Sequence, residues 1–196
     1  MSFIDIDYFK GALQIPNLNR DSTSFEQNYI EYYEREVLIH LLGYDLYNQL
    51  INNYDTNNND EWKRLVEGAK YLVTVDDIIY TVQWEGLKNT RKVSLIAYYV
   101  YYWYVKTNYE QLTGIGTINS DAENATKIDP NIKLVWSNNE CSMLSGDYEY
   151  CLTADDAEKL TYESTENTLF NFIFNNIADY TNWQYKPINK INVLGI

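Results

Sequence analysis

A few residues in this chain have the types that carry chemistry. The single histidine, His40, lies three residues before Gly43. A metal site needs several donors at a recognisable spacing, and one histidine with distant cysteines does not supply them. A Ser-His-Asp arrangement would need His40 as its base, yet no serine sits in a glycine-framed nucleophile elbow. A basic residue in the last turn of a helix interacts favourably with the unpaired carbonyls there, which is the plainer role for His40. Adjacent acids occur at Asp76-Asp77 and Asp155-Asp156. Paired carboxylates can do acid–base or metal work, but turns and helix N-termini favour Asp for local reasons alone. TGIGT, beginning at Thr113, lacks the Gly-Lys-Ser/Thr that completes a phosphate-cradling loop. Cys141 and Cys151 are read as two free thiols of an intracellular chain, with their pairing left open. These residues assign no catalytic, cofactor-binding or metal-binding position.

Charge removes further classes. The chain of 196 residues carries 28 acidic against 15 basic side chains, a net charge of −13. Binding a duplex through its phosphates needs clustered Lys and Arg that displace condensed counterions, and here the basic residues are scattered. An anionic membrane surface is disfavoured for the same reason. The opening MSFIDIDYFK is acidic and lacks the basic start and apolar run of a secretory signal. Tyr is abundant, with 20 copies; since Tyr, Asn, Ile and Lys share A/T-rich codons, single tyrosines carry little functional weight.

The elements that must position any site follow from periodicity. SLIAYYVYYWYV, Ser94 to Val105, has no charge. It is far shorter than the ~20 residues of a bilayer span, and tyrosine hydroxyls at a bilayer centre would go unsatisfied. A helix apolar on every side must be covered on most sides, so Tyr98, Tyr101, Tyr102 and Trp103 are expected in the core or at an interface with a neighbouring subunit. A platform for sugars is the alternative. The helix is expected over about residues 88–110. An earlier amphipathic helix of about 19 residues is expected from the stepping of Phe25, Tyr29, Tyr33, Val37 and Leu41, capped by Thr23 or Ser24 and closed by Gly43. A short helix follows from Tyr44 to Ile51, and another carries Trp62, Leu65, Val66 and Ala69. YLVT and IIYTVQW around Val-Asp-Asp read as a hairpin, at about residues 71–85.

IDIDYF alternates like a short strand and IPNLN reads as a turn. Residues 113–129 read as a long loop, too polar and glycine-broken for regular structure. A helix is expected from Asp129-Pro130 to about Met143. A last long helix should start at a Thr153 cap and bury Ala157, Leu160, Leu169, Phe170, Ile173, Phe174 and Ile177. The tail PINKINVLGI is apolar and extended; Ile188, Ile191, Val193, Leu194 and Ile196 would fold back or dock on another protein by strand addition. The expected fold is mainly α, a helical bundle of four to five helices with a small β-hairpin and an extended C-terminal arm. Residues 1–185 form the helical domain and 186–196 the arm.

The order of REVLIHLLGYDLYNQLI, the Trp-x-x-Leu helix, QWEGLKN, YVKTNYEQLTGIGTINSDAENA, LVWSN and DYTNWQYKP resembles the head–tail connector proteins of tailed bacteriophages. The version it is similar to is encoded by phages and prophages of gut Bacteroidetes, and the resemblance covers about residues 20–185. SGDYEYCL departs from that pattern as a variable insertion. The resemblance implies a non-enzymatic structural virion protein without cofactors. Its copies form a ring, usually twelve-fold, under the portal protein, and the ring receives the next neck or tail protein. Genomic DNA would pass through without specific binding, in a channel whose acidity keeps the phosphates from sticking, and no membrane is involved. The C-terminal segment of such proteins typically docks on the portal, and a hairpin or loop, here 71–85 or 113–129, typically contacts the next ring. The alternative is an acidic non-enzymatic binding module, a DNA mimic or a carbohydrate-binding domain. A DNA mimic would space its acids regularly, whereas these are dispersed among aromatics.

Overall fold

The computed structural model describes residues 2–15, 25–54, 60–75, 77–113, 116–119 and 168–184. Within them lie five α-helices and two antiparallel hairpins. The mainly α architecture with a small hairpin is therefore as the sequence led us to expect. The expected helix 129–143, the cysteines, Asp155-Asp156, the Thr153 cap, the SGDYEYCL insertion and the arm 186–196 lie outside the described residues, as does nearly all of IPNLN.

The chain enters as an extended segment with two 3-10 turns, Ile6–Tyr8 and Gly11–Leu13. The strand expected at IDIDYF does not form, because the Asp5 carboxylate accepts a hydrogen bond from the Asp7 N–H and folds the backbone into a turn. Helix α1 (Gln27–Leu42) begins at an N-cap Glu26 with no side-chain cap bond, later than a Thr23 or Ser24 cap would place it. It ends at Gly43, as its sequence implied. Helix α2 (Tyr44–Asn53) follows at once and buries Leu46 and Leu50.

Gly43 has φ 79° and ψ 158°, a region that essentially only glycine occupies. A Cβ there would also lie 2.9 Å from the Gln184 Cβ. We expect Gly43→Ala to cost about 2–3 kcal/mol, combining backbone strain with the clash, measured as a lower urea midpoint at unchanged m-value.

Helix α3 (Asp60–Glu67) buries Trp62, Leu65 and Val66 on one face, as their spacing required; Ala69 falls instead in the next strand. Strands β1 (Ala69–Val75) and β2 (Ile78–Trp84) pair antiparallel with Val75 opposite Ile78. Asp77 has φ 63°, a left-handed conformation that Asp tolerates better than most residues. The local explanation of Asp77 thus suffices, and Asp76 lies outside the described residues.

The aromatic helix α4 (Leu95–Tyr109) starts later than the 88–110 estimate. Asn89 (φ 45°) and Lys92 (φ 59°) are left-handed and interrupt any helix there. The Asn89 side chain stabilises the turn by accepting from the Arg91 N–H at 2.9 Å and donating to the Val93 carbonyl at 3.2 Å. Ser94 then caps α4, its Oγ accepting from the Ala97 N–H at 3.2 Å. Strand β3 (Glu110–Thr113) continues from α4 and pairs with β4 (Gly116–Asn119). That hairpin corrects the reading of 113–129 as irregular throughout, since Gly116–Asn119 is a strand paired with Glu110–Thr113.

Helix α5 (Leu169–Asn175) is also shorter than expected. Thr168 is extended and its side chain accepts from the Asn171 N–H, so a helix starts afresh here and does not run unbroken from residue 153. Its buried side includes Leu169 and Ile173 as anticipated, and Phe172, while Ile177 is exposed because the helix ends at Asn175. Helices α1 and α4 pack together at the centre, and α5 lies against β1. Phe172 meets Tyr71 edge-on at 5.4 Å and stacks near Trp84 at 5.8 Å.

Candidate functional site

The β1–β2 register puts Tyr71, Val73, Val82 and Trp84 on one face, and these four are buried. Trp84 fixes the base of the hairpin to α3, its Nε1–H donating to the Leu65 carbonyl at 2.8 Å. Toward the turn the two faces no longer differ. Tyr80 and Ile78 are on the inward face, opposite Val73 and Val75, yet they are 40% and 56% exposed. Leu72 and Ile79, diagonal neighbours on the outward face, are 63% and 66% exposed. The distal half of the hairpin therefore projects past the helical body and carries large apolar side chains on both faces. Contiguous exposed apolar surface of this kind marks an interaction site. The strands also lack the usual protection of a sheet edge, since β2 has no charge and no Pro and β1 has only Lys70.

The aromatic helix is core. Leu95, Ile96, Ala97, Tyr98, Val100, Tyr101 and Tyr102 are buried by the chain itself. Trp103 is half-buried, stacked on Tyr33 of α1 at 5.4 Å with the Lys106 ammonium 4.7 Å from its ring. Tyr33 and Lys106 thus both occupy the Trp103 ring internally, which argues against a sugar platform at that residue. The tail residues Ile188, Ile191, Val193, Leu194 and Ile196 lie outside the described residues. His40 occupies the last turn of α1, where a basic side chain suits the helix end. Among the described residues no three His, Cys, Asp or Glu side chains come together as a metal site. No helix among them is long and apolar enough to cross a membrane.

One group escaped the sequence reading. Glu34 of α1 is 3% exposed, amid Ile30, Val37 and Leu38 of the same buried stripe. Its carboxylate accepts from the Phe3 N–H at 2.9 Å and the Ile4 N–H at 3.1 Å, and the Ser2 hydroxyl lies 3.0 Å from it. Burial pushes its pKa up to about 7, against the opposing effect of those hydrogen bonds. The available signal was a charge on the i, i+4 stripe that begins at Ile30.

The chain matches no protein-family profile, no curated protein and no solved structure.

Proposed function

We propose that this chain is a structural virion protein, a head–tail connector subunit that assembles into a ring beneath the portal of a tailed phage. The observation that supports this reading best is the projecting hairpin, which offers Leu72, Ile78, Ile79 and Tyr80 to a neighbour. Closing a ring requires two different complementary faces on each subunit. The hairpin supplies one, and the apolar arm 186–196 is the candidate for contact with the portal. A net charge of −13 per copy suits a channel wall past which DNA slides without adhering. The role is non-enzymatic, and its partners are copies of the chain, the portal and the next neck or tail protein.

The test is mass photometry and negative-stain imaging of the chain alone and with the portal protein of the same phage. Closed rings, formed alone or on the portal, are the expected result. Persistent monomers that ignore the portal would sink the connector reading.

A further inference from the structure

Both edges of the β1–β2 hairpin are open. The two strands pair only with each other, and no backbone hydrogen bond joins either of them to a third segment among the described residues. In an antiparallel ladder the opposed residues alternate: one pair exchanges two hydrogen bonds, and the next points its N–H and C=O groups away from the ladder. The four pairs nearest the turn are Leu72–Thr81, Val73–Tyr80, Thr74–Ile79 and Val75–Ile78. Every second one of them therefore directs its backbone groups outward, one residue to either edge. These pairs lie on the half of the hairpin that stands clear of the helical body, where Leu72, Ile78, Ile79 and Tyr80 are exposed. Such an edge is a template for a further strand.

Three features select a second copy of this chain as the occupant. The first is register. A second hairpin set beside the first, with no shift along the strands, brings its β1 antiparallel to the free edge of β2. The same residues are then opposed between copies as within one, Ile78 facing Val75 and Ile79 facing Thr74. The pairs that do not bond within a hairpin are the ones that meet between hairpins, donor against acceptor, so the ladder continues without an unmatched position. Leu72 and Ile79 of adjacent copies become diagonal neighbours on one face, within reach of each other. The second feature is completeness. A copy on each side fills both edges, whereas a single foreign strand fills one and leaves the other open. The third is charge. Copies carrying −13 each repel one another, but residues 72–75 and 78–81 carry no charge, so the chains approach there at the least cost.

We propose that the β1–β2 hairpins of adjacent copies join edge to edge, β2 of one on β1 of the next, in one continuous antiparallel sheet. The contact is head-to-tail, and its closure into a ring rests on the connector reading.

The test is amide hydrogen exchange, read residue by residue along the hairpin, in the full chain as a dilute monomer and as the assembly formed at high concentration or on the portal protein. One alternate set of tip amides, either Leu72, Thr74, Ile79 and Thr81 or Val73, Val75, Ile78 and Tyr80, should exchange freely in the monomer and slow by at least about tenfold on assembly. The other set is already protected in the monomer. Assemblies whose outward amides exchange as in the monomer would overturn the edge contact and leave the connector reading standing. Protection confined to one strand would mean a two-fold contact of like edges and overturns the head-to-tail sheet. A chain that stays monomeric, alone and with the portal, overturns both.

Discussion

Trp84→Ala lowers the unfolding free energy by about 3–5 kcal/mol, the range for removing a large aromatic from a packed core. Trp84 is 2% exposed, stacks near Phe172 of α5 and donates its indole N–H to the Leu65 carbonyl of α3. Truncation opens a cavity where three elements meet and removes one of the two donors to that carbonyl, which keeps the Leu87 N–H at 3.2 Å. Phe172 also meets Tyr180, whose hydroxyl donates to the Glu61 carbonyl at 2.7 Å, so the loss spreads along a connected cluster. Urea unfolding followed by tryptophan fluorescence and circular dichroism reads the effect. Thr81→Ala, on the exposed face of the same strand, is the control and should change stability by less than about 0.5 kcal/mol. Equal losses in the two variants would contradict the assignment of inner and outer faces.

In the proposed ring, the double variant Leu72→Ser, Ile79→Ser is expected to prevent assembly while leaving the monomer folded. Both side chains are solvent-facing, so the monomer loses little packing; the cost is confined to strand propensity, whose whole scale spans about 1 kcal/mol. At an interface each would bury enough apolar surface to contribute about 1.5–3 kcal/mol. Losing both weakens association by at least a hundredfold, since each 1.4 kcal/mol is about a factor of ten. Circular dichroism should be unchanged while mass photometry shows rings replaced by monomers. Rings that form with wild-type affinity would remove the hairpin from the assembly surface.

The aromatic stretch shows how far the sequence could be read. Its length excluded a bilayer span, and its uniform apolarity demanded cover, which Phe25 just before α1 and Tyr29 and Tyr33 of α1 provide around Tyr104 and Trp103. The sequence could not decide between self-cover and a neighbour, because that depends on where the rest of the chain goes. The hairpin was legible for a similar local reason: two β-rich runs flank a two-residue acidic turn, and the register follows from the turn. That its tip stands clear of the body was not legible, since strand alternation assigns faces but not what lies against them. Ile78 and Tyr80 occupy inward positions and are nevertheless exposed.

Helix starts divided along the same line. Gly43 closed α1 where a glycine stop was expected, but the start of α4 at Ser94 depended on left-handed Asn89 and Lys92, which no apolar period reports. The start of α5 was missed because the apolar residues around it suit a continuous helix, while the Thr168 side chain captures the Asn171 N–H and sets a new first turn.

By itself, the sequence determined that helices α1 to α4 and the first hairpin form, that Gly43 stops α1, and that the aromatic helix needs cover. These depend on periods of 3.6 and 2 and on backbone preferences within a few residues. Only the tertiary structure decided the role of Glu34 and the projection of the hairpin. A carboxylate among leucines and isoleucines reads as a misplaced charge until the Phe3 and Ile4 amides arrive from 31 and 30 residues away. Burial and hydrogen-bond partners belong to the packed chain, and a pattern of neighbouring residues does not contain them.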